Sequence, residues 1–412
     1  MTAVKTPVAL GIQYYPDDLH FRTKDLDQWL PELQSLGMRW LAVSGSLDCA
    51  VPEAFLKAVV QSGIEPVLFL DRGLIKPVNE TLPWMLRAYR RAGVRFIAPF
   101  PAPNLISSWA PGAWDADSPV DLFLNVFPSV AEAILAEGMT PALPMIDPAG
   151  SYWGPAFLEA FLAGLDRIGK SELARKLALT VNASAYNRPL DWGAGGSRRW
   201  PDTRPYLTPP GSQDHIGFLG FTWLDEIVRR VLGESLPMIG LQAGATLGDL
   251  TDPSFPAVDG SRHAEINLQV AQIAGSGQMP APLLCVCFRL LAAAEGSLEA
   301  SRAWYQNDGS TLPIVDLLKR RAAVKSQKPQ AAVIKSFRHY LLLPPGPSSI
   351  SGRTWEQIRG FLLAFQPVCG FSIEEACQAE KVTILGEAAP AITALRLRDS
   401  GCHVEYLAAE RI

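Results

Sequence analysis

The chain has little of what would mark it for a membrane, a nucleic acid or a metal. No apolar run reaches the length of a bilayer span, and the opening Met-Thr-Ala-Val-Lys-Thr-Pro-Val-Ala-Leu lacks the basic and apolar regions of a secretory signal. The expectation is a cytoplasmic protein or a piece of a longer exported one. Runs of one charge are absent as well: the formal net charge is -4, and the densest basic stretch, Lys319-Arg320-Arg321 with Lys325 and Lys328, reads as the solvated end of a helix. That excludes nucleic-acid and membrane-surface partners as expectations. His20, His215, His263, His339 and His403 have no ligand spacing, so no metal is expected. No glycine-rich phosphate loop or Ser-His-Asp set stands out, so no cofactor is expected. The six cysteines follow no disulfide framework and read as reduced and mostly buried.

What is present is a repeated unit. Leu26, Trp29, Leu30, Leu33 and Leu36 recur at helical spacing, Gly37 follows, and 39–44 reads as a strand. The same order returns at Gly63 before 64–70, Gly93 before 94–99 and Gly138 before 139–146. Further strands are predicted at 8–14, 177–182, 237–242 and 283–289. Strands and helices alternating over this length predict a (β/α)8 TIM barrel, although a doubly wound sheet gives a similar string. A polar stretch at 325–331 reads as a linker, which sets the barrel at 1–324 and a small α/β accessory domain at 332–412. Three strands are expected there (339–344, 381–386, 402–407), with helices at 355–365, 372–380 and 391–399.

Two segments carry the chemistry. Phe100-Pro101-Ala102-Pro103-Asn104-Leu105, followed by Trp109, and Leu236-Pro237-Met238-Ile239-Gly240-Leu241-Gln242-Ala243-Gly244 resemble the fourth- and seventh-strand motifs of the clan A retaining glycoside hydrolases. The resemblance places the acid/base glutamate at Ala102 and the nucleophilic glutamate at Gln242. Retention needs two carboxyl groups about 5 Å apart, and neither an alanine nor an amide supplies one. Asn187-Arg188-Pro189-Leu190-Asp191 is similar to a sixth-strand segment of the same enzymes, with Asn182 and Ser184 standing where a His and a Tyr are implied. Arg289 stands where the resemblance implies a tryptophan floor.

Barrel active sites lie in the loops after the strands. Tryptophans and tyrosines predicted there suit the apolar faces of sugars, which makes Asn104, Trp109, Tyr152, Trp153, Asn182, Trp192, Trp200 and Arg289 the candidate ligand residues. The 187–215 stretch, rich in proline and glycine and carrying Arg198, Arg199 and Arg204, reads as a loop that could close over the mouth. Three functions remain open. One is a catalytically degenerate barrel that binds carbohydrate or another polar small molecule. The second is a hydrolase with relocated acids at Asp71 and Asp147, which end strands three and five. The third is a protein-docking module. Arg289 is alternatively the ion-pair partner of a mouth carboxylate such as Asp147.

Overall fold

The computed structural model describes residues 7–78, 80–279, 282–327, 335–344, 352–386 and 391–407 of the 412-residue chain. Eight parallel strands, β1 (Ala9–Gln13), β2 (Trp40–Ser46), β3 (Glu65–Arg72), β4 (Phe96–Pro99), β5 (Thr140–Leu143), β6 (Ala178–Ser184), β7 (Met238–Gly244) and β8 (Leu283–Phe288), close in sequence order into a barrel. Each overlaps a predicted strand. Gly37, Gly63, Gly93 and Gly138 all take the left-handed φ, between 74° and 93°, that ends a helix and turns the chain into the next strand. The 18-residue helix Pro119–Ala136 is, by length and a mean hydropathy of 1.4, apolar enough to cross a membrane, which the sequence reading did not anticipate. Here Phe123, Phe127 and Ile134 on it are wholly buried in the barrel's helical layer.

Strand register decides which side chains face the lumen. Trp40 and Phe96 lie on strands that are not neighbours, yet their ring centroids are 5.5 Å apart, so both point inward. Residues in register share a face. Gly11 pairs with Trp40, Val67 with Phe96, Ala142 with Ala178, Thr180 with Ile239, Ile239 with Cys285, and Cys287 with Gly11. The inward set therefore runs once around the barrel, and period-2 alternation carries it to the C-terminal rim at Asp71, Asn182 and Arg289. Cys285 and Cys287 fill the lumen, with sulfurs 3.9 Å apart and no exposure. A Cβ on Gly11 would lie 2.6 Å from Cys287 Sγ and 2.8 Å from the Trp40 carbonyl oxygen. Gly11→Ala should accordingly cost about 2 kcal/mol by overpacking, read as a lowered urea midpoint; an unchanged midpoint would mean the lumen has slack.

A second unit begins at Val324. The helix Pro313–Gln327 runs through the start of the expected linker, and 328–331 lie outside the described residues. Its sheet has four parallel strands, not three: β9 (Phe337–Leu342), β10 (Val368–Gly370), β11 (Ala379–Leu385) and β12 (His403–Leu407), in the order β10-β9-β11-β12. The helix expected at 372–380 stops at Ala376, because Ala379 and Lys381 pair with Phe337 and His339 of β9. Ile358 covers one face of the sheet with Leu341, Leu343 and Leu385, while Ala394 and Leu397 cover the other with Tyr340, Val382 and Ile384.

Candidate functional site

The rim is where the backbone departs from ordinary geometry. Six non-glycine residues among those described have positive φ, and four of them lie within two residues of a barrel-strand end: Phe100 at 77°, Tyr186 at 51°, Gln242 at 54° and Leu290 at 61°. Such residues each cost on the order of 1 to 3 kcal/mol and cluster at functional sites. Leu241 is in register with Asn182, and the ladder to β8 shifts between Gly240 and Ala243. This irregularity, with the left-handed turn at Gln242, re-aims the glutamine side chain toward β6. Its Oε1 accepts a hydrogen bond from Asn182 Nδ2 at 3.3 Å. Gly244, two residues on, has φ of 82°, and a Cβ there would lie 1.9 Å from Asn267 Oδ1, so this end of the motif admits only glycine.

Tyr186, which no sequence signal marks, lies two residues past β6 with Asn182, Asp147 and Asp249 acting on its phenol. Burial first, then the charges of Asp147 and Asp249, push its phenol well above the ordinary tyrosine value, while hydrogen bonding from Asn182 and the charge of Arg188 oppose the rise. Asp249 accepts from the Thr246 N–H at 2.8 Å; burial raises its pKa against that bond and the charges of Arg289 and Arg302. No periodicity marks either residue, since both lie just past a strand end.

The two relocated acids have different surroundings. Asp71 is reached by solvent but has protein around most of its side chain. Desolvation outweighs its backbone hydrogen bond and Arg72, lifting the carboxyl to about 6. Asp147 groups instead with Tyr186, and its Oδ1 accepts the Ala149 N–H at 2.8 Å. Arg289 does not pair with Asp147. Its Nη2 donates to Glu299 Oε2 at 2.8 Å, a partner supplied by the loop after β8, and its buried Nε has no acceptor among the described residues.

Several candidate ligand residues turn out to be bonded internally. Asn104 is wholly buried; its Nδ2 donates to the carbonyls of Asp147 and Tyr152 at 2.8 and 2.9 Å, and its Oδ1 accepts the Asp147 N–H at 2.8 Å. Trp109 is buried and donates to the Pro103 carbonyl. Trp192 donates to Asp214, and Arg188 lies 4.2 Å above its ring. Trp200 donates to the Ala194 carbonyl beneath Arg199. Tyr152 packs edge-on against Phe157. Trp153, half-buried and edge-on to His215, keeps its indole N–H free of any partner among the described residues.

The long 187–215 connection is not a free lid. Arg188 bridges Asp214 and Asp252 at 2.8 and 3.2 Å, all three well buried, and Asn187 donates to the Asp252 and Phe255 carbonyls. The arginines of this stretch are engaged: Arg198 pairs with Glu226 and Arg204 with its own loop carbonyls. A cavity of about 480 Å³ lies beside the helix Phe221–Leu232, lined also by Gly195, Arg198 and Pro282, and holds none of the candidate ligand residues. No group of three or more metal-ligating side chains occurs among the described residues.

Neither a family profile nor a curated protein sequence matches the chain. Solved structures do. A family 39 glycoside hydrolase from Bacteroides cellulosilyticus WH2 superposes with a TM-score of 0.50 at 13% identity, over 78% of this chain and 65% of that one. A monomeric beta-xylosidase from Caulobacter crescentus CB15 gives 0.48 at 14%, over 78% and 69%. Saccharomyces cerevisiae Gas2p, solved with laminaritetraose and laminaripentaose, gives 0.42 at 12%, over 77% and 63%. At 13% identity the first of these shows the fold alone: a glycoside hydrolase-like barrel.

Proposed function

We propose that this chain binds carbohydrate at the barrel mouth and does not carry out retaining hydrolysis. The observation that supports the reading is Gln242. An amide occupies the position that the seventh-strand resemblance assigns to the nucleophile, on a left-handed backbone, hydrogen-bonded to Asn182. It cannot form a glycosyl-enzyme, and Ala102 cannot protonate a leaving group. The part of the fourth-strand motif that matches, Pro103-Asn104 with Trp109, serves to hold loops. Trp153 remains the aromatic face best suited to a sugar. Aryl glycosides should show no turnover, a glycan panel should show binding, and Trp153→Ala should weaken that binding roughly tenfold. Absence of any bound glycan would defeat the reading and turn attention to protein partners at the exposed rim residues Ile106, Leu207, Leu250 and Leu298.

One observation favours hydrolysis instead. A carboxyl at about 6, as at Asp71, suits a general acid near neutral pH. Aryl-glycoside turnover that vanishes in Asp71→Asn would establish that second reading.

A further inference from the structure

The hydrogen bonds of Asn182 have a direction, and the direction reaches the ligand position. The Ser184 backbone N–H donates to Asn182 Oδ1 at 2.9 Å. A backbone N–H can only donate, so this contact fixes which end of the Asn182 amide is oxygen. Its Nδ2 is then the end that meets Gln242, and the atom it meets is Oε1. With its oxygen turned to β6, Gln242 has its NH2 group left over, and no acceptor for it occurs among the described residues. Both side chains are half-buried, and the unused Gln242 Nε2 is not among the buried unpartnered atoms, so it is open to a ligand from the solvent side. A carboxylate at this position would offer acceptors; the oriented amide offers donors.

We propose that Asn182 is a positioning residue that sets the hydrogen-bond polarity of the mouth. Through it, Gln242 presents N–H donors, and at that position the site favours an acceptor oxygen of a sugar, a carbonyl or ring oxygen, over an ammonium. Asp147 and Asp249, whose charges both act on Tyr186, accept from hydroxyls, and the charges of Arg289 and Arg302 reach Asp249. This rests on the carbohydrate reading above.

The test compares aldonolactones with iminosugars of the same gluco or xylo configuration, titrated calorimetrically into the intact chain. The mouth carboxylates attract the iminosugar's ammonium in every variant, so the polarity is read from how the ratio changes between variants. Asn182→Leu adds no charge but frees the Gln242 amide to rotate, and should lower the lactone-to-iminosugar ratio about three- to tenfold, while Trp153→Ala weakens both ligands and leaves the ratio alone. An Asn182→Leu ratio equal to that of wild type overturns the inference even though glycan binding stands. If wild type binds neither ligand the carbohydrate reading fails, and the polarity is then decided without ligand by a stability cycle. Gln242→Glu should be better tolerated beside Asn182 than in the Asn182→Leu background, because Nδ2 donates to the new carboxylate. Poorer tolerance beside Asn182 would mean that the amides face the other way, and the proposal would be wrong.

Discussion

Acidification should destabilise the protein steeply, starting well above the range in which ordinary carboxylates titrate. Burial holds His215 and His263 neutral, each with its pKa lowered to about 4 from an unfolded value near 6.5. His215 Nε2 lies 3.0 Å from the Pro148 carbonyl, and the Nδ1 of each ring is buried without a partner. A depressed folded pKa means that the unfolded chain takes up the proton first. The stability held by each neutral ring is complete above pH 6.5 and is lost as the pH falls toward 4. The loss by about pH 5 is about 2 kcal/mol per histidine, about 4 together. Asp71 and Asp249 have raised pKa values and act in the opposite sense, so the histidine share is isolated by comparing wild type with His263→Leu. Urea midpoints at about pH 7.5 and about pH 5 should differ less in the variant. Equal differences in the two proteins would show that His263 is charged in the fold.

Asn104→Ala should be the most damaging single change in the loops. It removes three hydrogen bonds in a site with no exposure and leaves the Asp147 N–H and the Tyr152 carbonyl without partners, while the Asp147 carbonyl keeps only the Gly150 N–H. Unsatisfied buried groups cost about 1 to 3 kcal/mol each, partly relieved by water, so a loss of about 4 kcal/mol is expected. The denaturant midpoint should fall accordingly, and the loops after β4 and β5 should become sensitive to protease. Should stability hold while glycan binding disappears, Asn104 would be the ligand contact that the fourth-strand resemblance implied, and its burial would have to open in solution.

Much of the architecture was legible because it depends on local rules. Glycines at the helix ends, 3.6-residue periodicity and short β-branched runs recur in one order, and only a few folds accept that order. The accessory domain was read less well. The three-residue edge strand β10 has no pattern of its own, and the chain from Ala379 became strand only because β9 offered it hydrogen bonds.

The sequence by itself determined the alternation of strands and helices, the strand positions and the absence of glutamates at 102 and 242, since each of these is written in residue identity and spacing, while closure into a barrel came from the fold. Tertiary structure alone decided what the surrounding residues do. Asn104, Trp109 and Trp192 look like ligand residues in a string of letters, and whether an amide or indole is free depends on which carbonyl or carboxylate stands 3 Å away on another loop. The partner of Arg289 was likewise set by the fold, which brought up Glu299 and left Asp147 beside Tyr186. Gln242 shows the division most plainly: its identity was on the page, but its direction came from a shifted ladder, a left-handed φ and an asparagine 60 residues earlier. Hydrogen-bond polarity is a property of pairs in space, and a sequence lists its members one at a time.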